Sequence, residues 1–170
     1  MLLYHGSNTD IKDINLAMCR PYKDFGQGFY LTVLKEQAQK MATRVAGIYG
    51  GVPVLNIYEI DIAAMQEAQL NIKNFGIQTS EEWVRFVRNN RNPKFLNLTD
   101  PECNLDNKYD IVIGPIADDY MSLLFRQYEN GMLTFDNLLN GMTYKETTNQ
   151  YSFHTLKAVR LLRKAGVELW

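Results

Sequence analysis

The stretch Asp24-Phe25-Gly26-Gln27-Gly28-Phe29-Tyr30-Leu31-Thr32 sets two glycines around one polar residue and runs directly into an aromatic pair. Gly26 and Gly28 permit backbone angles that other residues avoid, and they let a ligand approach the main chain closely. Phe29 to Thr32 favours a strand, because aromatic and β-branched side chains fit a pleated surface. A glycine loop feeding such a strand can place the Tyr30 ring at the wall of a cleft. The plainer alternative is a hairpin bend with a core tyrosine, since an isolated Gly-x-Gly is a weak signal. His5 is the second candidate. It ends a short apolar run, Leu2-Leu3-Tyr4-His5, beside the turn formers Gly6-Ser7-Asn8. A histidine there either lines a cleft or is hydrogen-bonded within the fold. Arg85, Arg88 and Arg91 recur every three residues on an expected helix. That stripe could meet phosphates, although a solvated face is the commoner explanation. Asp118 and Asp119 could serve a site, with helix capping their more usual role. His154, at the start of the last expected helix, reads as structural.

Several classes of function are made improbable by composition. The 170 residues, 46% apolar and 22% charged, suit one soluble globular domain spanning 1–170. A net charge of −1 gives no global attraction to nucleic acid or membrane. Cys19 and Cys103 make no disulfide or metal framework and read as reduced thiols of a cytoplasmic protein. Two distant histidines make a zinc site improbable, so no metal is expected. The start of the chain lacks a basic region and has too short an apolar run for a signal peptide. No window approaches the length of a membrane span.

The elements that must position these residues follow from periodicity and punctuation. Strands are expected at 2–5, 29–32, 54–60 and 109–113, and helices at 34–46, 80–90 and 156–165. Leu34, Ala38, Met41, Ala42 and Val45 share one helical face, with Gly47 as a stop. Thr79 and Glu82 carry a capping-box pattern. Gly114-Pro115 ends a short buried strand, and Asp118 or Asp119 caps a helix with Met121, Leu124, Phe125 and Tyr128 on its apolar stripe. Thr134 caps a short helix carrying Phe135, Leu138 and Leu139. A strand then runs through Tyr151, and Ser152 or Thr155 caps a last helix that packs Leu156, Val159 and Leu162 and stops at Gly166. The fold class expected is α+β.

Four blocks in this order carry a resemblance: Tyr-His-Gly-Ser at 4–7, the glycine stretch at 24–32, Tyr-Asp-Ile-Val-Ile-Gly-Pro-Ile-Ala-Asp-Asp at 109–119 and Gln-Tyr-Ser-Phe-His-Thr at 150–155. They resemble a bacterial family known as a domain of unknown function, which itself looks like a branch of the ADP-ribosyltransferase superfamily. The resemblance covers nearly the whole chain. It implies a split, mixed β-sheet with helices outside it and an NAD cleft between the halves. It is to the His-Tyr-Glu subgroup, which includes diphtheria-type toxins and poly(ADP-ribose) polymerases. His5 would hydrogen-bond the ribose next to nicotinamide, the backbone of Gly6 would hold the nicotinamide amide with help from Ser7, and Tyr30 would stack on the ring. Gly28 would belong to the NAD-binding loop. Gln150 falls where the subgroup usually has its catalytic glutamate.

Breaking the bond to nicotinamide leaves a ribose with oxocarbenium character, which a nearby carboxylate stabilises. A glutamine offers only a dipole, and losing such an electrostatic contribution commonly costs on the order of 10²–10³ in rate. Three outcomes follow: slow mono-ADP-ribosyl transfer, a carboxylate supplied from elsewhere, or NAD binding without chemistry. The leading expectation is an NAD-dependent mono-ADP-ribosyltransferase, toxin-like, with Gln150, His5 and Tyr30 at its centre and NAD as substrate. Its acceptor would be a protein or nucleic acid, and an antitoxin-like partner is compatible with that role. The alternatives are a non-catalytic NAD or ADP-ribose-binding module and an RNA 2′-phosphotransferase-like enzyme.

Overall fold

The apolar run Ile111-Val112-Ile113 is buried on both sides, which requires a strand with a layer on each face. The computed structural model, which describes residues 1–142 and 147–170, places it in a seven-stranded mixed sheet flanked by helices. In chain order the elements are β1 (Leu2–Ser7), β2 (Phe29–Thr32), α1 (Lys35–Tyr49), β3 (Val54–Ile60), α2 (Ile62–Glu67), β4 (Ile72–Asn74), α3 (Glu81–Arg91), β5 (Ile111–Pro115), α4 (Asp119–Glu129), α5 (Phe135–Met142), β6 (Asn149–Phe153), α6 (Leu156–Val159) and β7 (Leu162–Leu169). The strand order is β4-β5-β6-β2-β1-β3-β7. Only β4 and β5 run parallel, and the other neighbours are antiparallel.

Side chains alternate across this sheet and sort into two layers. Leu3, Phe29, Leu31, Tyr58, Ile60, Ile111, Ile113 and Phe153 form one buried cluster with Ala158 of α6. Val112 and Phe25 join the buried residues of α3, α4 and α5 on the opposite face, with Tyr30 packed against them. Helix α1 covers β1 and part of β3. Its contact is close: a methyl at Gly6 would lie 2.0 Å from the Ala38 carbonyl oxygen and 2.6 Å from the Ala42 nitrogen. Only small residues fit such a contact, so the buried stripe of α1 is Ala38, Ala42 and Ala46. Leu34 and Met41, expected on that face, are exposed. The helix also continues past Gly47 to Tyr49, and Gly50 ends it at a φ of +81°.

The largest departure from the sequence reading is at the C-terminal end. Residues 156–165 do not form one helix. Thr155 caps only the four-residue α6, and Leu162–Leu169 forms β7 against β3. The apolar spacing 156, 159, 162 fits a helix, but the residues from 162 onward alternate between partly buried and exposed. Pairing with β3 satisfies a strand edge that a helix would have left open. A register shift between Ile57 and Tyr58 accommodates the extra residue of β7. Lys164 then lies over the Tyr58 ring, with its ammonium 3.0 Å from Asp10 and 2.9 Å from the Ile11 carbonyl. Smaller differences have local causes. Ser80, not Thr79, caps α3 by accepting from the Trp83 nitrogen, while Thr79 donates to the Met142 carbonyl. Strand β1 continues through Gly6 and Ser7, which pair with Leu55 and Val54. Strand β5 begins at Ile111 and keeps Gly114-Pro115, paired with Gln150 and Asn149.

Candidate functional site at the seam between β1 and β2

Strands β1 and β2 are joined at a single register position, Tyr4 opposite Thr32. Extending that register would set Gly6 against Tyr30, but no pair forms there. The His5 side chain takes the place of the missing rung, with Nδ1 2.7 Å from the Tyr30 carbonyl oxygen. A carbonyl only accepts, so Nδ1 carries the proton and Nε2 keeps its lone pair. The imidazole stacks on Phe29 with centroids 4.5 Å apart. Burial lowers its pKa, the bond to the Tyr30 carbonyl opposes that, and the Lys164 charge lowers it further. The sheet is therefore divided beside His5, Gly6 and Ser7 on one strand and Phe29 and Tyr30 on the other.

Tyr30 projects to the opposite face from His5. Its ring is 6.3 Å from that of Phe25 and meets the His154 imidazole edge-on at 6.2 Å. The hydroxyl donates to the Gly26 carbonyl at 2.7 Å and accepts from the Phe25 nitrogen at 2.9 Å. The tyrosine thus clasps the loop that precedes its own strand. Gly26 adopts a φ of +92°, which suits glycine in that loop. Burial, then the Asp24 charge, pushes the phenol further above its ordinary pKa, so it stays a neutral donor.

Gln150 pairs with Thr32 in the β2–β6 ladder and lies on the same face as Tyr30, whose ladder partner is Ser152. Its Nε2 donates to Asp24 Oδ2 at 2.8 Å, with the Pro115 carbonyl at 3.5 Å. Asp24 Oδ1 is held by Arg91, from Nε at 2.8 Å and Nη2 at 2.7 Å. The Arg91 guanidinium also lies over the Phe125 ring, 4.9 Å from its centroid. Asp24 is 9% exposed, so this pair is largely removed from water. Neither the amide's partner Asp24 nor the Arg91 that holds it is signalled by spacing in the sequence. Asp24 stands at the head of the glycine stretch, and Arg91 ends a stripe that could equally have been solvated.

Behind the glycine loop, His154 is 3% exposed. Its Nδ1 lies 2.9 Å from the Gln27 carbonyl and Nε2 lies 2.8 Å from the Ser152 hydroxyl. Burial lowers its pKa to about 4, outweighing the bond to Gln27 and the Asp110 charge. A methyl at Gly28 would lie 2.6 Å from this imidazole. The space above Gly28 is thus filled by a ring of the protein itself. Similarly, α1 fills the space above Gly6.

The remaining candidates are engaged elsewhere. Arg85 pairs with Glu81, Arg88 donates to Asn89 Oδ1, and both guanidiniums lie over the Phe135 ring. Asp118 caps α4 by accepting from the Met121 nitrogen at 2.7 Å. A groove of about 310 Å³ lies beyond Gln27, lined by Pro21, Tyr22, Phe95, Leu96 and Leu98 among others. It includes none of His5, Tyr30 or Gln150. Among the described residues no group of three or more His, Cys, Asp or Glu could hold a metal, and no helix is long and apolar enough to cross a membrane.

No curated protein and no solved structure matches the chain. The family model described as "Protein of unknown function (DUF3990)" matches residues 1–163, which include β1, the glycine loop, β5 and β6. The chain with this seam belongs to the DUF3990 family.

Proposed function

We propose that this protein is an NAD-dependent mono-ADP-ribosyltransferase that cleaves the nicotinamide–ribose bond and passes ADP-ribose to a protein or nucleic acid. The observation that carries the reading is the divided sheet. His5 bridges the seam on one face of the sheet, and Tyr30 of β2 and Gln150 of the neighbouring β6 share the other face. A flat ring and a polar amide beside a row of strand backbone suit a ligand with one aromatic end and a hydroxyl-rich sugar. In the reaction the glycosidic bond breaks and nicotinamide leaves with its electron pair. A nucleophile on the acceptor bonds to the sugar carbon and releases its proton to solvent. The protein's part is to hold the leaving ring and the ribose in a reactive geometry and to favour the positive charge that develops.

A second reading, an NAD or ADP-ribose-binding module, is favoured by the neutral side chain at Gln150. An RNA 2′-phosphotransferase needs a gathered set of cations. Arg85 and Arg88 are engaged on α3, and Arg20 donates to Tyr49 away from the seam. Incubation with NAD labelled in both halves separates the readings. Free nicotinamide with label on macromolecules indicates transfer, free nicotinamide with free ADP-ribose indicates hydrolysis, and retention of intact NAD indicates binding alone. The absence of both turnover and binding would end the NAD reading.

A further inference from the structure

Asp24 directs its two carboxylate oxygens at different groups, Oδ1 at Arg91 and Oδ2 at Gln150. Both neighbours of the Gln150 nitrogen, Asp24 Oδ2 and the Pro115 carbonyl, are acceptors. The amide therefore has one favourable orientation, nitrogen toward Asp24 and oxygen away from it. Among the described residues none donates to Gln150 Oε1. An acceptor backed by an ionised partner is stronger than an isolated amide, because a chain of hydrogen bonds polarises along its length. Arg91 fixes Asp24 from behind and faces its other oxygen toward the amide.

We propose that Asp24 is the carboxylate of this site and acts through Gln150 as a positioning residue. It sets the amide so that Oε1 is offered to a hydroxyl of the nicotinamide-side ribose, and it lends that oxygen part of its charge. The proposal rests on the transferase reading above. It changes what a carboxylate at position 150 would do. Gln150→Glu would set a second acid against Asp24 at hydrogen-bond distance, with no donor between them. The charge would have to be moved, not added.

The test uses four full-length proteins: wild type, Asp24→Asn, Gln150→Glu and the double variant. Nicotinamide release from labelled NAD gives kcat and KM, and thermal unfolding reports folding. Asp24→Asn is expected to lower kcat about tenfold or more, the size of a lost hydrogen bond to a charged group. Its new amide oxygen turns to Arg91, so its nitrogen faces Gln150 and forces that amide over. Gln150→Glu alone also lowers kcat. The double variant restores donor and acceptor in exchanged places and recovers kcat to within about threefold of wild type, a reciprocal rescue that a packing role would not produce. An unchanged kcat in Asp24→Asn, or a folded double variant no better than the single ones, overturns the proposal. Should Asp24→Asn not fold, Asp24→Ser takes its place, keeping an oxygen for the amide without the charge. A drop of about tenfold supports the relayed charge and an unchanged kcat rejects it. Wild type that releases no nicotinamide ends the transferase reading itself, and this proposal with it. An active wild type indifferent to position 24 ends only the proposal.

Discussion

His5 Nδ1 stands 2.7 Å from the carbonyl oxygen of Tyr30 at the point where β1 and β2 separate. One side-chain bond thus does what the next backbone rung would do, and it leaves the strands on either side free of one another. His5→Phe keeps an aromatic ring against Phe29 but leaves the Tyr30 carbonyl without its donor. The expected loss is about 1–3 kcal/mol of stability, the cost of a polar group left unpaired. Urea unfolding measures it, and NAD affinity should fall in the same variant. Unchanged stability would mean that the bond does not hold the seam.

Where an element's own residues decide its structure, it was legible in the sequence. Val54–Ile60 was bounded correctly because an apolar run follows Pro53 directly. The Asp118 cap was likewise a local matter. What was not legible depends on partners distant in the chain. The residues of β7 carry helical spacing at first, and only the open edge of β3 makes them a strand. Leu34 and Met41 looked like core until Gly6 drew α1 too close for anything larger than alanine. At the candidate site, His5 and Tyr30 stand out in their own stretches, and Gln150 enters only through the resemblance. The Asp24–Gln150 bond joins positions 126 apart, and no spacing signals it.

A glycine packed against α1 and a glycine within it should respond in opposite ways to the same methyl group. At Gly6 it would meet the backbone of Ala38 and Ala42, which cannot move without shifting the helix. Gly6→Ala should therefore cost about 3 kcal/mol or more, at the upper end for overpacking. At Gly47 an added methyl has nothing within 4 Å. Gly47→Ala should stabilise by roughly 0.5–1 kcal/mol through helix propensity. Denaturant midpoints of the two variants check both signs.

Tyr30 carries two loads, and substitutions separate them. Tyr30→Phe keeps the ring but removes the hydroxyl that joins Gly26 and Phe25. Unfolding should become easier by about 1–3 kcal/mol, with faster hydrogen exchange in the 24–28 loop. Tyr30→Ala also loses the ring packed near Phe25 and His154, and should cost about 3–5 kcal/mol. NAD affinity should fall further for Tyr30→Ala than for Tyr30→Phe, since only the ring can stack on a ligand. Equal affinity losses would assign the role to the hydroxyl.

His154 should make the stability of the fold depend on pH. Its folded pKa is depressed to about 4 from an ordinary 6.5, because the imidazole is buried beneath the glycine loop. Between those values the unfolded chain binds the proton and the folded chain does not. Stability from this group is thus fully present above pH 6.5, declines as pH falls, and is lost below about 4. The separation corresponds to roughly 3 kcal/mol. His5, also lowered, acts in the same direction. Histidine ring resonances followed by NMR should show one imidazole titrating near pH 4. Unfolding free energy measured from pH 7 downward should fall more steeply for wild type than for His154→Asn, whose side chain takes up no proton on unfolding. His154 titrating near 6.5, or equal slopes for the two proteins, would show that the imidazole is not held neutral beneath Gly28.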